Sequence, residues 1–84
     1  MKNFSKNFTP PSMHYTYVLR INGNNMYIGS TNDLRRRMVE HQKEKNCELI
    51  YYEAYGTEYM ARIREKRLKY HGSAWRGLKK RIIA

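Results

Sequence analysis

Five side chains in this 84-residue sequence are of types that could do chemistry: Tyr17, Tyr27, Arg37, His41 and Glu65. A tyrosine hydroxyl both donates and accepts hydrogen bonds and titrates near ~10. A guanidinium offers a planar fork that matches phosphate oxygens, and a histidine changes charge near neutrality. A lone carboxylate can hold a hard cation whose other ligands are water and phosphate. Each residue also has an ordinary reading. Tyr17 and Tyr27 suit half-buried strand positions, and Arg37 is one of three consecutive arginines with Arg35 and Arg36. His41 can be a satisfied structural histidine, and Glu65 can pair with Lys69 at i, i+4 for only ~0.3 to 0.5 kcal/mol. Position separates two of them from that background: Arg37 stands one helical turn from His41, and Glu65 is the single acid among nine Lys and Arg in residues 61–84.

The elements that must position these side chains follow from the hydrophobic pattern. Tyr15-Thr16-Tyr17-Val18-Leu19-Arg20-Ile21 is aromatic and β-branched, Asn22-Gly23-Asn24-Asn25 tolerates positive φ, and Met26-Tyr27-Ile28-Gly29 resumes the run, which predicts a β-hairpin. Alternation places Tyr15, Tyr17, Leu19 and Ile21 on one face and Thr16, Val18 and Arg20 on the other. Ser30-Thr31-Asn32-Asp33 is a cluster of N-cap formers, predicting a helix from Leu34 to about Glu44 with an acid in its first turn. Leu34, Met38 and His41 form its apolar stripe, bordered by Arg37, with Arg35 and Arg36 toward water. Cys47 to Tyr55 suits a third strand. A second helix is expected from Glu58 to Tyr70, with Tyr59, Met60, Ile63, Arg67 and Tyr70 at helical spacing and Gly72 as its C-terminal cap. Ala74 to Ile83 reads as a last short helix. The fold expected is α+β, a three-stranded antiparallel sheet flanked by helices in the order β-β-α-β-α-α, with residues 1–12 a flexible lead-in ending at Pro10-Pro11 and residues 13–84 one domain.

Seventeen Lys plus Arg against seven Asp plus Glu give a net charge of +10 and a pI near 10.0. In a chain with 40% apolar residues, enough for a core, such a balance points to a polyanionic partner, nucleic acid first. The basic C-terminal region lacks the pattern of an amphipathic membrane anchor, and no run approaches the ~20 apolar residues of a membrane span. One cysteine, Cys47, excludes an internal disulfide framework and a cysteine-based zinc cluster and suits a reducing cytoplasm. A domain of this size must present its site as a shallow face, which fits a polymeric substrate.

Tyr15-Thr16-Tyr17, then Tyr27-Ile28-Gly29-Ser30-Thr31, then Arg37 and His41 resemble the two strand motifs and first helix of the GIY-YIG nuclease family. Arg64-Glu65-Lys66-Arg67-Leu68-Lys69 is similar to the segment carrying that family's metal-binding glutamate. The resemblance covers residues 14–82 and is nearest to small single-domain members; the same module forms the nuclease domain of a bacterial excision-repair incision protein and of some homing endonucleases. It implies a metal-dependent endonuclease that hydrolyses DNA, with RNA left open as substrate. Tyr17 would be the general base or orient the water, its pKa lowered by Arg37 and the metal, and Tyr27 would bond the scissile phosphate or the water. Arg37 would bind a phosphate oxygen, His41 would relay a proton or hold Tyr17, and Glu65 would anchor one Mg²⁺ or Mn²⁺. Gly29 would matter through close backbone approach. Arg35, Arg36, Arg64, Lys69, Arg76, Lys79 and Lys80 are the candidate nucleic-acid contacts.

The sequence departs from the family pattern in two places: Tyr15-Thr16 stands where the first motif has glycine and isoleucine, and Gly72-Ser73-Ala74-Trp75-Arg76 occupies the region where many larger members carry an asparagine. Trp75 is expected to pack on the sheet rather than stack on a base. Weak sequence preference, or recognition of a flap, nick or branch, is expected, with a partner protein or a dimer as one source of specificity. The alternative function is a nucleic-acid-binding module that is non-catalytic or depends on a partner.

Overall fold

The computed structural model describes residues 12–83, so all but the last residue of the expected lead-in lies outside the described residues. Strands β1 (His14–Ile21) and β2 (Asn25–Thr31) form the expected hairpin, pairing Tyr17 with Gly29 and Leu19 with Tyr27. Asn22 and Gly23 make its turn with φ of 49° and 92°, the left-handed region that a tight hairpin requires and that these two residue types tolerate. The turn is tethered from outside, since the Asn22 N–H donates to the Asn46 carbonyl at 2.8 Å.

Strand β3 (Cys47–Tyr55) pairs antiparallel with β1, so the sheet order is β2-β1-β3 and β1 is central. The β1–β3 register shifts between Val18 and Leu19: Val18 faces Tyr51 and Leu19 faces Leu49, leaving Ile50 as the extra residue of a bulge. The physical result is that Ile50 and Tyr51 both pack with Val18, while Leu49 packs with Leu19 on the other face.

The two faces of β1 therefore carry two cores, as its alternation required. Tyr17, Leu19, Ile21 and Cys47 pack against Leu34 and Met38 of α1 (Leu34–Glu44). Val18 packs with Leu68 of α2 (Glu58–Tyr70) and Leu78 of α3 (Gly72–Ile82), joined by Ala74, Trp75 and Ile82. Trp75 thus packs in the core, as expected. None of these helices is long and apolar enough to cross a membrane.

Three local expectations need correction. Of the four cap formers before α1, Asp33 is the N-cap and accepts the Arg36 N–H, so the acid caps the first turn instead of lying within it. Gly72 does not close α2. His71, at φ −120°, is the C-cap of α2 and the N-cap of α3, and this extended residue makes the break without a left-handed glycine. The face of α2 is also rotated: Tyr59 and Tyr70 are 72% and 73% exposed, whereas Ala61 and Leu68 are buried. Two polar contacts set that rotation. Thr16 on β1 donates to the Ala61 carbonyl at 2.7 Å, and Arg64 forms a two-pronged pair with Glu53 on β3.

Candidate active site

Tyr17 and Tyr27 project from adjacent strands onto the α1 face of the sheet, and His41 reaches down from α1 between them. The ring centroids lie 6.2 Å apart for Tyr17 and Tyr27, 6.0 Å for Tyr17 and His41, and 5.1 Å for Tyr27 and His41. The Tyr17 hydroxyl is 3.1 Å from His41 Nε2. Tyr17 can lie so close to β2 because its cross-strand partner is glycine: a Cβ on Gly29 would stand 2.6 Å from the Tyr17 hydroxyl oxygen. The close approach expected at Gly29 is therefore to the tyrosine ring.

Burial controls the titration of this pair. It raises the Tyr17 pKa above 10.0, and the opposing pull of the Arg37 guanidinium does not overcome it. Arg37 alone therefore does not supply the acidity expected of Tyr17 from Arg37 and a metal ion together, because Tyr17 has no exposed surface and the cost of a buried phenolate is larger. For His41, burial and then the charges of Arg37 and Lys45 lower the pKa below 6.5. The imidazole is neutral at pH 7, so Nε2 can accept the hydrogen bond that the phenol donates.

Arg37 is held one turn before His41 on α1, where its Nη1 donates to Glu40 at 2.9 Å. Glu40 lies three residues along the same helix, a spacing at which the sequence does signal a partner for Arg37. Glu65 comes from α2 on the other side of edge strand β2. Its carboxylate accepts from the Ser30 hydroxyl at 2.7 Å and from Lys69 Nζ at 2.8 Å, so the predicted i, i+4 pair is present. Burial raises the Glu65 pKa, but the Lys69 and Ser30 hydrogen bonds outweigh it and leave the carboxyl below 4.5. Ser30, a cap former by residue type, is instead a strand residue that links the second motif to Glu65. The Glu65 charge also acts to raise the Tyr17 pKa, the electrostatic sign of their proximity.

A divalent cation fits this arrangement in one way. Among the described residues no three His, Cys, Asp or Glu side chains gather into a metal-binding group. Glu65 is an ionised, partly exposed carboxylate with lone pairs remaining on both oxygens, which suits one ion that takes its other ligands from water and substrate.

The candidate nucleic-acid contacts divide into three sets. Arg35 and Arg36 are exposed at the start of α1. Arg76, Lys79 and Lys80 are exposed on α3, where with Ile83 they line a groove. Arg64 is separate from both, because its guanidinium binds Glu53 at 2.9 and 3.1 Å, and Lys69 already holds Glu65. Glu53 also accepts from Tyr51 at 2.6 Å and from Tyr55, which share its strand face at two-residue spacing, whereas no spacing in the sequence signals the Arg64 arm because it joins β3 to α2. Beyond Ser30 a polar cleft of about 250 Å³ opens between His14, Asn32, Glu58 and Arg62.

The family model described as GIY-YIG catalytic domain matches residues 13–81. The chain is 35% identical over 65 residues to a UPF0213 protein of Bacillus pumilus, an alignment covering 67% of this chain and 66% of that protein. It is 29% identical over 65 residues to a UPF0213 protein of Staphylococcus epidermidis, covering 67% and 79%. The chain thus spans slightly less than two thirds of the length of the first of these relatives, whose name carries no activity. No solved structure matches it. The family match takes in all three strands and, but for one residue, all three helices, and this chain therefore belongs to the GIY-YIG family of nuclease catalytic domains.

Proposed function

We propose that this chain is a metal-dependent endonuclease that hydrolyses DNA phosphodiester bonds with low sequence specificity or with a preference for DNA structure. The observation that carries the reading is the 3.1 Å contact between the Tyr17 hydroxyl and Nε2 of His41, whose pKa burial and Arg37 lower. A phenol with a raised pKa is a poor base by itself, but paired with a neutral imidazole it can pass its proton to Nε2 as it takes one from the attacking water. Tyr27 then orients the water or the phosphate. Arg37, released from Glu40, places its fork on the phosphate oxygens as charge develops. Glu65 would hold one Mg²⁺ or Mn²⁺, which when bound supplies Lewis-acid stabilisation of the phosphate charge. Ser30 and Lys69 keep that carboxylate ionised and aimed.

Arg35 and Arg36 on α1, and Arg76, Lys79 and Lys80 on α3, are the exposed cations suited to the flanking phosphates. One observation favours a second reading, a nucleic-acid-binding module silent without a partner: Tyr17 has no exposed surface, and Arg37 and Glu65 are each paired within the chain. Plasmid and branched DNA incubated at low salt with Mg²⁺ or Mn²⁺, against EDTA, separate the two. Metal-dependent cutting that disappears in Tyr17→Phe and Glu65→Ala, with DNA binding retained, supports the nuclease. Binding without cutting on every substrate supports the second reading.

A further inference from the structure

We infer that Tyr15 and Tyr52 form a platform beside the candidate site on which an unpaired base of the substrate stacks. The inference rests on the reading that this chain acts on nucleic acid. Tyr17 has Gly29 as its register partner on one side and Tyr52 on the other, so the three lie in one row across the α1 face of the sheet. Tyr15, two residues before Tyr17 on the same face, packs edge to face on Tyr52 with ring centroids 5.9 Å apart and planes at 67°. The next row is Thr31, Tyr15 and Ala54, whose outer members are too small to cover the pair.

Helix α1 leaves this end of the face open. Its Leu34 and Met38 pack with Tyr17, Leu19, Ile21 and Cys47, and neither Tyr15 nor Tyr52 joins that cluster. Tyr52 remains 52% exposed although it sits in the middle of a strand. The surface is therefore aromatic and accessible at Tyr52, and it adjoins the buried Tyr17, whose hydroxyl contacts His41.

The occupant follows from charge and reach. A protein of net charge +10 attracts a polyanion, and a base is the flat apolar group that a polyanionic strand carries at every repeat. Cross-strand side chains are ~5 Å apart. His41, one turn from Arg37, contacts Tyr17, and Tyr52 is the cross-strand neighbour of Tyr17, so a phosphate held at Arg37 leaves a neighbouring base on the side of the tyrosine pair. In duplex DNA both faces of a base are covered by its neighbours, so only an unpaired or frayed base can stack here. The platform therefore supplies a physical origin for preference toward single strands, flaps or branches.

The test measures binding in EDTA, so that it does not depend on catalysis. A single-stranded oligonucleotide carrying 2-aminopurine is titrated with wild-type protein, Tyr52→Ala and Tyr52→Phe. Expected are quenching by the wild type, about tenfold weaker binding by Tyr52→Ala, recovery in Tyr52→Phe, and no Tyr52→Ala penalty once the 2-aminopurine nucleotide is made abasic. An equal penalty on the abasic strand, or none on the intact strand, overturns the platform. So does a concentration-dependent dimer that Tyr52→Ala dissociates in sedimentation, since a second copy would then cover this face. Failure of the nuclease reading looks different: plasmid stays uncut with metal while the stacking result stands.

Discussion

The ring of Tyr17 occupies the space that a side chain on Gly29 would need: a Cβ there would lie 2.6 Å from the tyrosine oxygen and 2.8 Å from Cζ. Gly29→Ala must therefore displace Tyr17, whose ring is fully buried and cannot swing into solvent without opening the α1 core. The expected cost in stability is ~1 to 3 kcal/mol, as for overpacking elsewhere. Cleavage should fall by a larger factor than stability explains, because the hydroxyl moves out of its 3.1 Å reach of His41. Thermal melts and cleavage rates of the same preparation check both.

The Tyr17–His41 pair sets a direction for the pH dependence. Burial, Arg37 and Lys45 hold the His41 pKa below 6.5, and only the neutral ring accepts the phenolic proton. The logarithm of kcat/KM should rise through a pKa below 6.5 and then level off. His41→Gln should remove that acid limb along with most of the activity. A profile whose limb lies above 6.5 would place the titrating group elsewhere.

Arg37 and its partner make a separate prediction. Arg37→Lys keeps a charge but loses the planar fork, and cleavage should drop about 10²-fold or more, the scale of removing one transition-state donor. Glu40→Gln, which frees Arg37 from its 2.9 Å ion pair, should leave cleavage intact or raise it. Single-turnover rates of the two variants give the comparison.

Glu53 governs acid stability. Burial raises its pKa, but hydrogen bonds from Arg64, Tyr51 and Tyr55 together hold it below 4.5. A folded-state pKa below the unfolded value adds stability that is present above pH 4.5 and is lost as pH falls through the folded value. Glu53→Gln should therefore flatten the acid limb of the melting temperature. At pH 7 it should cost ~2 kcal/mol, or roughly 8 to 16 °C in a domain of this size.

The α3 cations should act through the phosphates alone. Replacing Arg76, Lys79 and Lys80 with Gln should weaken binding uniformly across DNA sequences and reduce the slope of log K against log salt by ~0.9 for each duplex phosphate no longer neutralised. Binding isotherms at several salt concentrations measure it. Arg64→Gln, by contrast, should lower stability with little change in the salt slope, because Arg64 is engaged with Glu53.

Most of the fold is legible in the sequence because its signals are local. The Asn22-Gly23 turn, the alternation of β1 and the residues 34–44 helix each depend on neighbours within a few positions. The face of α2 is not legible for the opposite reason: Tyr59, Met60 and Tyr70 look apolar at helical spacing, but the rotation of α2 is set by Thr16 and Glu53, whose partners on the helix lie at least eleven residues away in sequence.

The sequence by itself determined the element order and the surplus of positive charge, since residue type and short-range spacing carry that information, while the grouping of two tyrosines, an arginine, a histidine and a glutamate came from the family resemblance. Only the tertiary structure decided that β1 is the central strand, that Tyr17 is buried enough to raise its pKa, and that Ser30 links the second motif to Glu65. Desolvation and hydrogen bonding depend on which groups meet across space, and groups from different elements meet only when the sheet and its helices pack.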